Sequence, residues 1–250
     1  GGLELALACH YRIADREEGT RLGFPEVKLG IYPGLNGTLR SIRSAGAMDA
    51  MQTMLTGRML RPEAAKGMGL VDQLVPTHHR LRWEARKAVL RKRKSRGAPW
   101  WKELMRKAPL RGILAGQMRK KTTEKVREEH YPAPFRLIDL FEQFGDSSKR
   151  MKRAEPRMFA PLMVSDTARN LRRVFRLTEM LKNEAPKDAF KPLRAHVIGA
   201  GTMGGDIAAW CAMQGLRVTL QDRAPEFIAP AIGRAAKLYR RRLRESHKVQ

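Results

Sequence analysis

The sequence predicts an α/β chain in three parts, on three observations. Short apolar runs alternate with glycine turns over the first 76 residues. A helix-prone middle follows, strongly basic at first and interrupted by prolines. From Ala195 the pattern changes to strand, glycine-rich turn, helix and second strand, complete by Leu220.

The elements follow in order. Leu3 to Cys9 is an apolar, helix-like run directly after Gly1-Gly2, and Tyr11 to Ala14 reads as a short strand. Ala47 to Leu55 is a helix closed by Thr56-Gly57. Pro62 opens another helix, which Glu63 to Met68 continue to a Gly69 stop. Val71 to Val75 is a strand ended by Pro76. Residues 77–130 are helical in propensity and broken at Pro99 and Pro109, and Tyr131-Pro132-Ala133-Pro134 is a breaker. Within 159–182, Leu171, Val174, Phe175, Thr178 and Leu181 have the spacing of one buried helix face, opposite Arg169, Arg172, Arg173 and Arg176. Glu184 to Lys187 reads as a hinge, with a new domain from about Lys191.

At 250 residues the chain is long enough for one or two domains. No stretch has the ~18 uninterrupted apolar residues of a membrane helix. Two cysteines, Cys9 and Cys211, make no disulfide framework and fit a reducing compartment. The start at Gly1-Gly2 without Met, and the end in a basic run, suggest a piece of a longer protein. The net charge of +25 invites a nucleic-acid reading. Half of that excess lies between residues 76 and 130, in runs such as Arg91 to Arg96 and Arg119 to Lys121. No helix-turn-helix, zinc-finger or RNA-binding aromatic signature accompanies it. A solvated helical surface, or attraction of a polyanionic ligand, accounts for it better.

Two segments carry chemistry. In the first, GGLELALAC places Glu4 in the first turn of an apolar helix after a glycine pair. Backbone N–H groups there could hold an oxyanion, and apolar neighbours would raise the carboxyl's proton affinity toward the acid–base range. The run GFPEVKLGIYPGLNGT then places Glu26 in an apolar neighbourhood before Pro33-Gly34, where a helix start is expected. Two carboxylates on separate elements can share one water, one accepting a proton while the other donates. For either glutamate alone, a helix cap or a surface charge is the plainer reading.

These runs, GGLELALACHYRIAD and LGFPEVKLGIYPGLNGT, resemble the active-site half of the enoyl-CoA hydratase (crotonase) superfamily. The resemblance implies that Glu4 and Glu26 are a catalytic acid/base pair for adding water across an enoyl-CoA double bond. It implies that the Gly1 N–H serves the thioester oxyanion and that Gly34 helps position the water. Which glutamate is acid and which base stays open. Asn36 stands where the family commonly has glycine, Leu39 where it has a polar residue, and His10 where many simple hydratases have Asp and longer bifunctional relatives His. The family's other oxyanion N–H and most of its CoA loop precede residue 1.

In the second segment, Ala195 to Ile198 is a short buried strand, and Gly199-Ala200-Gly201-Thr202-Met203-Gly204 is a G-x-G-x-x-G turn. Asp206 to Met213 continues as helix, Leu216 to Leu220 as strand, and Asp222 follows. This is the start of a Rossmann unit. Gly199 allows the tight turn, Gly201 the approach of a pyrophosphate, and Gly204 close helix–strand packing. Asp222 would bind a ribose 2′-hydroxyl, which favours NAD over NADP. The segment resembles the start of the 3-hydroxyacyl-CoA dehydrogenase family, which implies that Met203 and Asp222 contact NAD. That family's catalytic His would lie beyond Gln250.

A hydratase part followed by a dehydrogenase start resembles the family of bifunctional fatty-acid β-oxidation enzymes, the α subunits of fatty-acid oxidation complexes. Pro109 to Ala115, Glu129 to Pro134 and Thr167 to Leu171 resemble that family's linker region. The expected organisation is the C-terminal part of a crotonase-like domain at 1–130, a linker with an amphipathic helix at 131–190, and the first βαβ unit of a Rossmann domain at 191–250. The resemblance implies acyl-CoA thioester substrates, NAD as cofactor and a thiolase subunit as partner, with no metal and no nucleic acid. A bacterial-type cytoplasmic location is expected, with a mitochondrial one left open by the missing N-terminus. The alternative from another class is a basic protein that binds nucleic acid or an acidic partner and keeps vestigial enzyme motifs.

Overall fold

A computed structural model describes residues 1–184 and 192–242. The chain packs as two units, Gly1–Lys182 and Asn183–Gln250.

The first unit opens with helix α1 (Gly2–Ala8) and strand β1 (Ile13–Asp15). Strand β2 (Leu22–Gly23) leads to a 3-10 turn at Pro25–Leu29, closed by Gly30 at φ +75°. Helices α2 (Gly37–Ala45) and α3 (Ala47–Thr56) follow, separated by Gly46 alone. Strand β3 (Met59–Leu60), helix α4 (Pro62–Met68) and strand β4 (Gln73–Val75) complete the α/β part. β1 pairs in parallel with β4, and β2 pairs antiparallel with β3. The expected helices at 47–55 and 62–68 and the strand ending at Val75 are all present.

Arg12 fastens this part together. It is buried, and its guanidinium binds Asp72 (2.9 and 3.1 Å), Ser44 (2.6 Å) and Ser95. The guanidinium holds the Asp72 carboxyl below its usual range against the opposing effect of burial, which is the largest single influence. Removing one partner of such a buried pair leaves an uncompensated charge and costs about 3–5 kcal/mol. Arg12→Ala is therefore expected to lower the denaturant midpoint by the equivalent of that loss; an unchanged midpoint would show that the cluster contributes no net stability.

The basic stretch forms α5 (Leu81–Leu90), α6 (Trp100–Glu103) and α7 (Leu110–Thr123). α8 (Pro132–Phe144) begins on the breaker itself, because proline suits the first helical turn, where its missing N–H would have no partner. α8 and α9 (Ser148–Met163), expected within the linker, share the first unit's core: Leu137, Ile138, Leu140, Phe141 and Met151 are all fully buried.

The residues of the expected helix face, Leu171 to Leu181, lie on one helix. α9 ends at Met163, and α10 (Asp166–Glu184) restarts with the Ser165 hydroxyl accepting from the Ala168 N–H at 3.2 Å. The expected buried face of α10 is a correction. Val174, Phe175 and Leu181 are more than half exposed, and Ala168 alone on the helix is buried, because no described element covers that stripe. The hinge expected at 184–187 and the boundary near residue 191 lie almost wholly outside the described residues.

In the second unit, strands β5 (Arg194–Ile198) and β6 (Arg217–Gln221) pair in parallel, with helix α11 (Thr202–Met213) between them and α12 (Pro225–Arg242) after. β5 is not the buried strand expected. Its residues alternate between exposed and half-buried, because the described sheet has only two strands. No described helix is long and apolar enough to cross a membrane.

Candidate active site

The first unit brings the two glutamates to one place. Glu4 lies in the first turn of α1, and its side chain is buried because Leu3 and Leu7 turn the same face to the core. Its Oε1 accepts a hydrogen bond from the Leu35 N–H at 3.0 Å. Burial pushes the carboxyl's proton affinity up, the Leu35 N–H works against this, and the negative charge of Glu26 adds to it.

Glu26 stands in the Pro25–Leu29 turn. Its Oε1 is 3.5 Å from the Gly1 nitrogen, while its Oε2 is buried with no hydrogen-bond partner. A buried carboxylate oxygen without a donor is costly unless something else supplies one. Gly1, Glu4 and Glu26 are thus neighbours.

The Tyr32–Thr38 loop closes the other side. A Cβ on Gly34 would stand 2.8 Å from the Phe159 ring of α9, so only glycine fits there. A Cβ on Gly37 would overlap the Glu4 carboxyl. Asn36, the departure from the family's glycine, has φ +60°, a left-handed conformation that asparagine tolerates better than other side chains. The helix expected to open at Pro33-Gly34 therefore starts later, at Gly37. Leu39 is buried in the core, which explains an apolar residue at that position. His10 is exposed on the surface.

Sequence reasoning missed Glu155. It lies on α9, is fully buried, and faces the backbone of Asn36 and Leu39 and the Thr38 hydroxyl. Its position carried a signal: Met151, Glu155, Met158, Phe159 and Leu162 share the apolar stripe of α9, and a lone carboxyl on such a stripe is a marked exception. Tyr32 was also passed over. Its buried hydroxyl donates to the Glu155 backbone carbonyl at 3.0 Å.

Beside the Glu26 turn, a cavity of 520 Å³ is floored by Val27, Leu55, Leu114 and Met118 and rimmed by Lys121 and Lys125.

In the second unit Gly199 has φ +96°, and a Cβ on Gly204 would overlap the Gly199 carbonyl oxygen. Nothing lies within 4 Å of a Cβ position on Gly201, so the turn is open there to a ligand. Met203 is exposed at the start of α11. Asp222 holds the turn: its carboxylate accepts from the Ala200 N–H at 2.6 Å and the Arg223 N–H at 2.7 Å. The Ala200 N–H, then that of Arg223, keep its proton affinity below the usual carboxylate range. These features suit a dinucleotide: open backbone at a helix start, and an acceptor at the end of the second strand. His196 is engaged across the sheet with Thr219 (2.7 Å) and Gln221 (3.0 Å). Among the described residues, no cluster of His, Cys, Asp and Glu could hold a metal ion.

A pair of neighbouring glutamates in an α/β unit, followed by a Rossmann start, is the combination that two known families supply in turn. Residues 1–125 match the enoyl-CoA hydratase/isomerase family, and residues 194–250 match the NAD-binding domain of 3-hydroxyacyl-CoA dehydrogenase. The chain belongs to the enoyl-CoA hydratase/isomerase family, with a crotonase-like part joined to the start of that NAD-binding domain. It is 34% identical over 257 residues to the fatty acid oxidation complex subunit alpha of Shewanella putrefaciens and to that of Shewanella baltica, covering 99% of this chain in each case. The same figures over 255 residues hold for the Shewanella amazonensis protein. The chain spans 36% of the length of these curated relatives.

Proposed function

We propose that the protein carrying this chain acts in fatty-acid β-oxidation, hydrating 2-enoyl-CoA to 3-hydroxyacyl-CoA and then oxidising that product with NAD. The observation that carries the reading is the closeness of the buried Glu4 carboxyl to the half-buried Glu26, whose charge acts on it, with one Glu26 oxygen unpartnered. One carboxylate accepts a proton from water as its oxygen bonds to C3, and the other delivers a proton to C2. The thioester oxygen gains negative charge in the transition state, and the Gly1 N–H is assigned to it. Gly34 keeps the loop beside the water's position close against α9. The apolar, lysine-rimmed cavity beside Glu26 has the character that a CoA ester requires.

Gly199, Gly201, Met203, Gly204 and Asp222 are assigned to NAD. When bound, NAD supplies the hydride acceptor for the second step. Asp222 has a double task, fixing the turn and accepting from the ribose. Asp222→Ala is expected to weaken NAD binding by roughly tenfold or more, one to three kcal/mol being the usual cost of orphaning such donors. Isothermal titration of the complete protein measures it, and an unchanged Kd would remove the assignment.

The division into a hydratase part at 1–130, a connecting segment at 131–190 and a dinucleotide part from 191 belongs to this reading, with α8 and α9 serving the first unit's core. So do a thiolase subunit as partner and a cytoplasmic location, both supported by the bacterial fatty acid oxidation complex subunits that the chain resembles. The test is production of NADH from crotonyl-CoA by the complete protein.

A further inference from the structure

Glu155 has no part in the chemistry above, yet it is the most deeply buried acid of the first unit. Neither of its carboxyl oxygens makes a hydrogen bond of ordinary geometry, and no described cation pairs with it. A carboxylate in such a place would lack both water and a counter-charge, so the neutral form is favoured. Burial, opposed by the Asn36 N–H and aided by the charge of Glu4, pushes its pKa up to about 8.

The groups facing it are few. Glu4 approaches from α1 and Tyr32 from the loop before α2. Arg40 of α2 is turned instead to the Leu35 carbonyl at 2.6 Å, and Asp139 and Glu142 of α8 pair with Arg119. Around Glu155, α9 grips the loop at three points. Tyr32 donates to its backbone carbonyl, Phe159 packs against Gly34, and the rings of Tyr32 and Phe159 meet edge-on with centroids 5.7 Å apart. That loop carries the Leu35 N–H that holds Glu4.

We propose that Glu155 is a positioning residue for Glu4: its fully buried carboxyl, packed beneath the first turn of α2, fixes the Tyr32–Thr38 loop that holds the Glu4 carboxyl. The inference rests on the hydratase reading. Ionisation of Glu155 would place a second negative charge beside Glu4 in a dry site and loosen the loop. Hydration should then fall by about tenfold per pH unit once Glu155 titrates, as for any single essential proton.

The test is the pH profile of crotonyl-CoA hydration by the complete protein and its E155Q variant. The parent is expected to show an alkaline limb in kcat near pH 8, with KM little changed. E155Q, which keeps the shape of the neutral carboxyl, is expected to keep the rate at pH 7 and lose that limb. The same limb in both proteins would overturn the proposal, whatever the absolute rates. Should E155Q not fold, the E4Q variant decides by infrared spectroscopy. Without the Glu4 charge that helps raise the Glu155 pKa, a carboxylic-acid stretch that bleaches below pH 8 but above the ordinary carboxylate range supports the proposal, and its absence overturns it. A parent that hydrates no enoyl-CoA at any pH contradicts the functional reading instead, and the infrared band still decides this one.

Discussion

Glu4→Gln and Glu26→Gln, each made in the complete protein, are expected to lower crotonyl-CoA hydration by roughly 10²–10⁴-fold, the usual contribution of a positioned acid or base. Gln keeps the size of the side chain and can still accept from the Leu35 N–H, so the fold should hold. What it cannot do is take up or deliver a proton. Because both carboxyls act in the same addition of water, losing either member stops the same step, and the double variant should be little worse than the singles. Oxidation of 3-hydroxybutyryl-CoA should be unchanged in all three, since the Rossmann start uses none of these side chains. Hydration kinetics of the three variants, followed by the loss of enoyl absorbance, check this. Full hydratase turnover in both single variants would remove the pair from the chemistry.

The second large effect is expected from Gly37→Ala. The new Cβ would overlap Glu4 Oε1, Cγ and Cδ, so the carboxyl must move away from the Leu35 N–H. A displacement of about 1 Å at a reacting group costs on the order of 10²-fold. Gly37 is also the first residue of α2, where alanine is the better helix former by about 1 kcal/mol. The expected signature is therefore a large fall in kcat with thermal stability retained. A kcat within twofold of the parent, or a loss of activity matched by unfolding, would contradict the steric account, since about 1.4 kcal/mol already means a tenfold change.

Local signals made most of the fold legible. Gly57 and Gly69, just past their helices, and Pro62, at the start of one, all ended or began elements where expected. The Rossmann start was legible for the same reason: the G-x-G-x-x-G turn, its flanking periodicity and Asp222 lie within one short stretch. The site was half legible. Glu4, Glu26, Gly1 and Gly34 stand out because glycine turns frame them, but Glu155 and Phe159 reach the Tyr32–Thr38 loop from about 120 residues away, and only tertiary packing joins them. The burial of the helix face from Leu171 to Leu181 was misjudged for a related reason. Periodicity reports that Val174, Phe175 and Leu181 share a face, but it does not report whether anything covers that face. The prolines misled in the opposite direction. Pro132 and Pro134 read as a break, yet they lie in the first turn of α8, where a proline's missing N–H does no harm.

The central claim is that a glutamate pair feeds a hydroxyacyl product to an NAD-dependent step in the same protein. NADH release by the complete protein tests it most directly, measured once from crotonyl-CoA and once from 3-hydroxybutyryl-CoA. The parent should yield NADH from both substrates, and the E4Q and E26Q variants from 3-hydroxybutyryl-CoA only. NADH from crotonyl-CoA at the parent's rate in both variants, or from neither substrate in the parent, would contradict it.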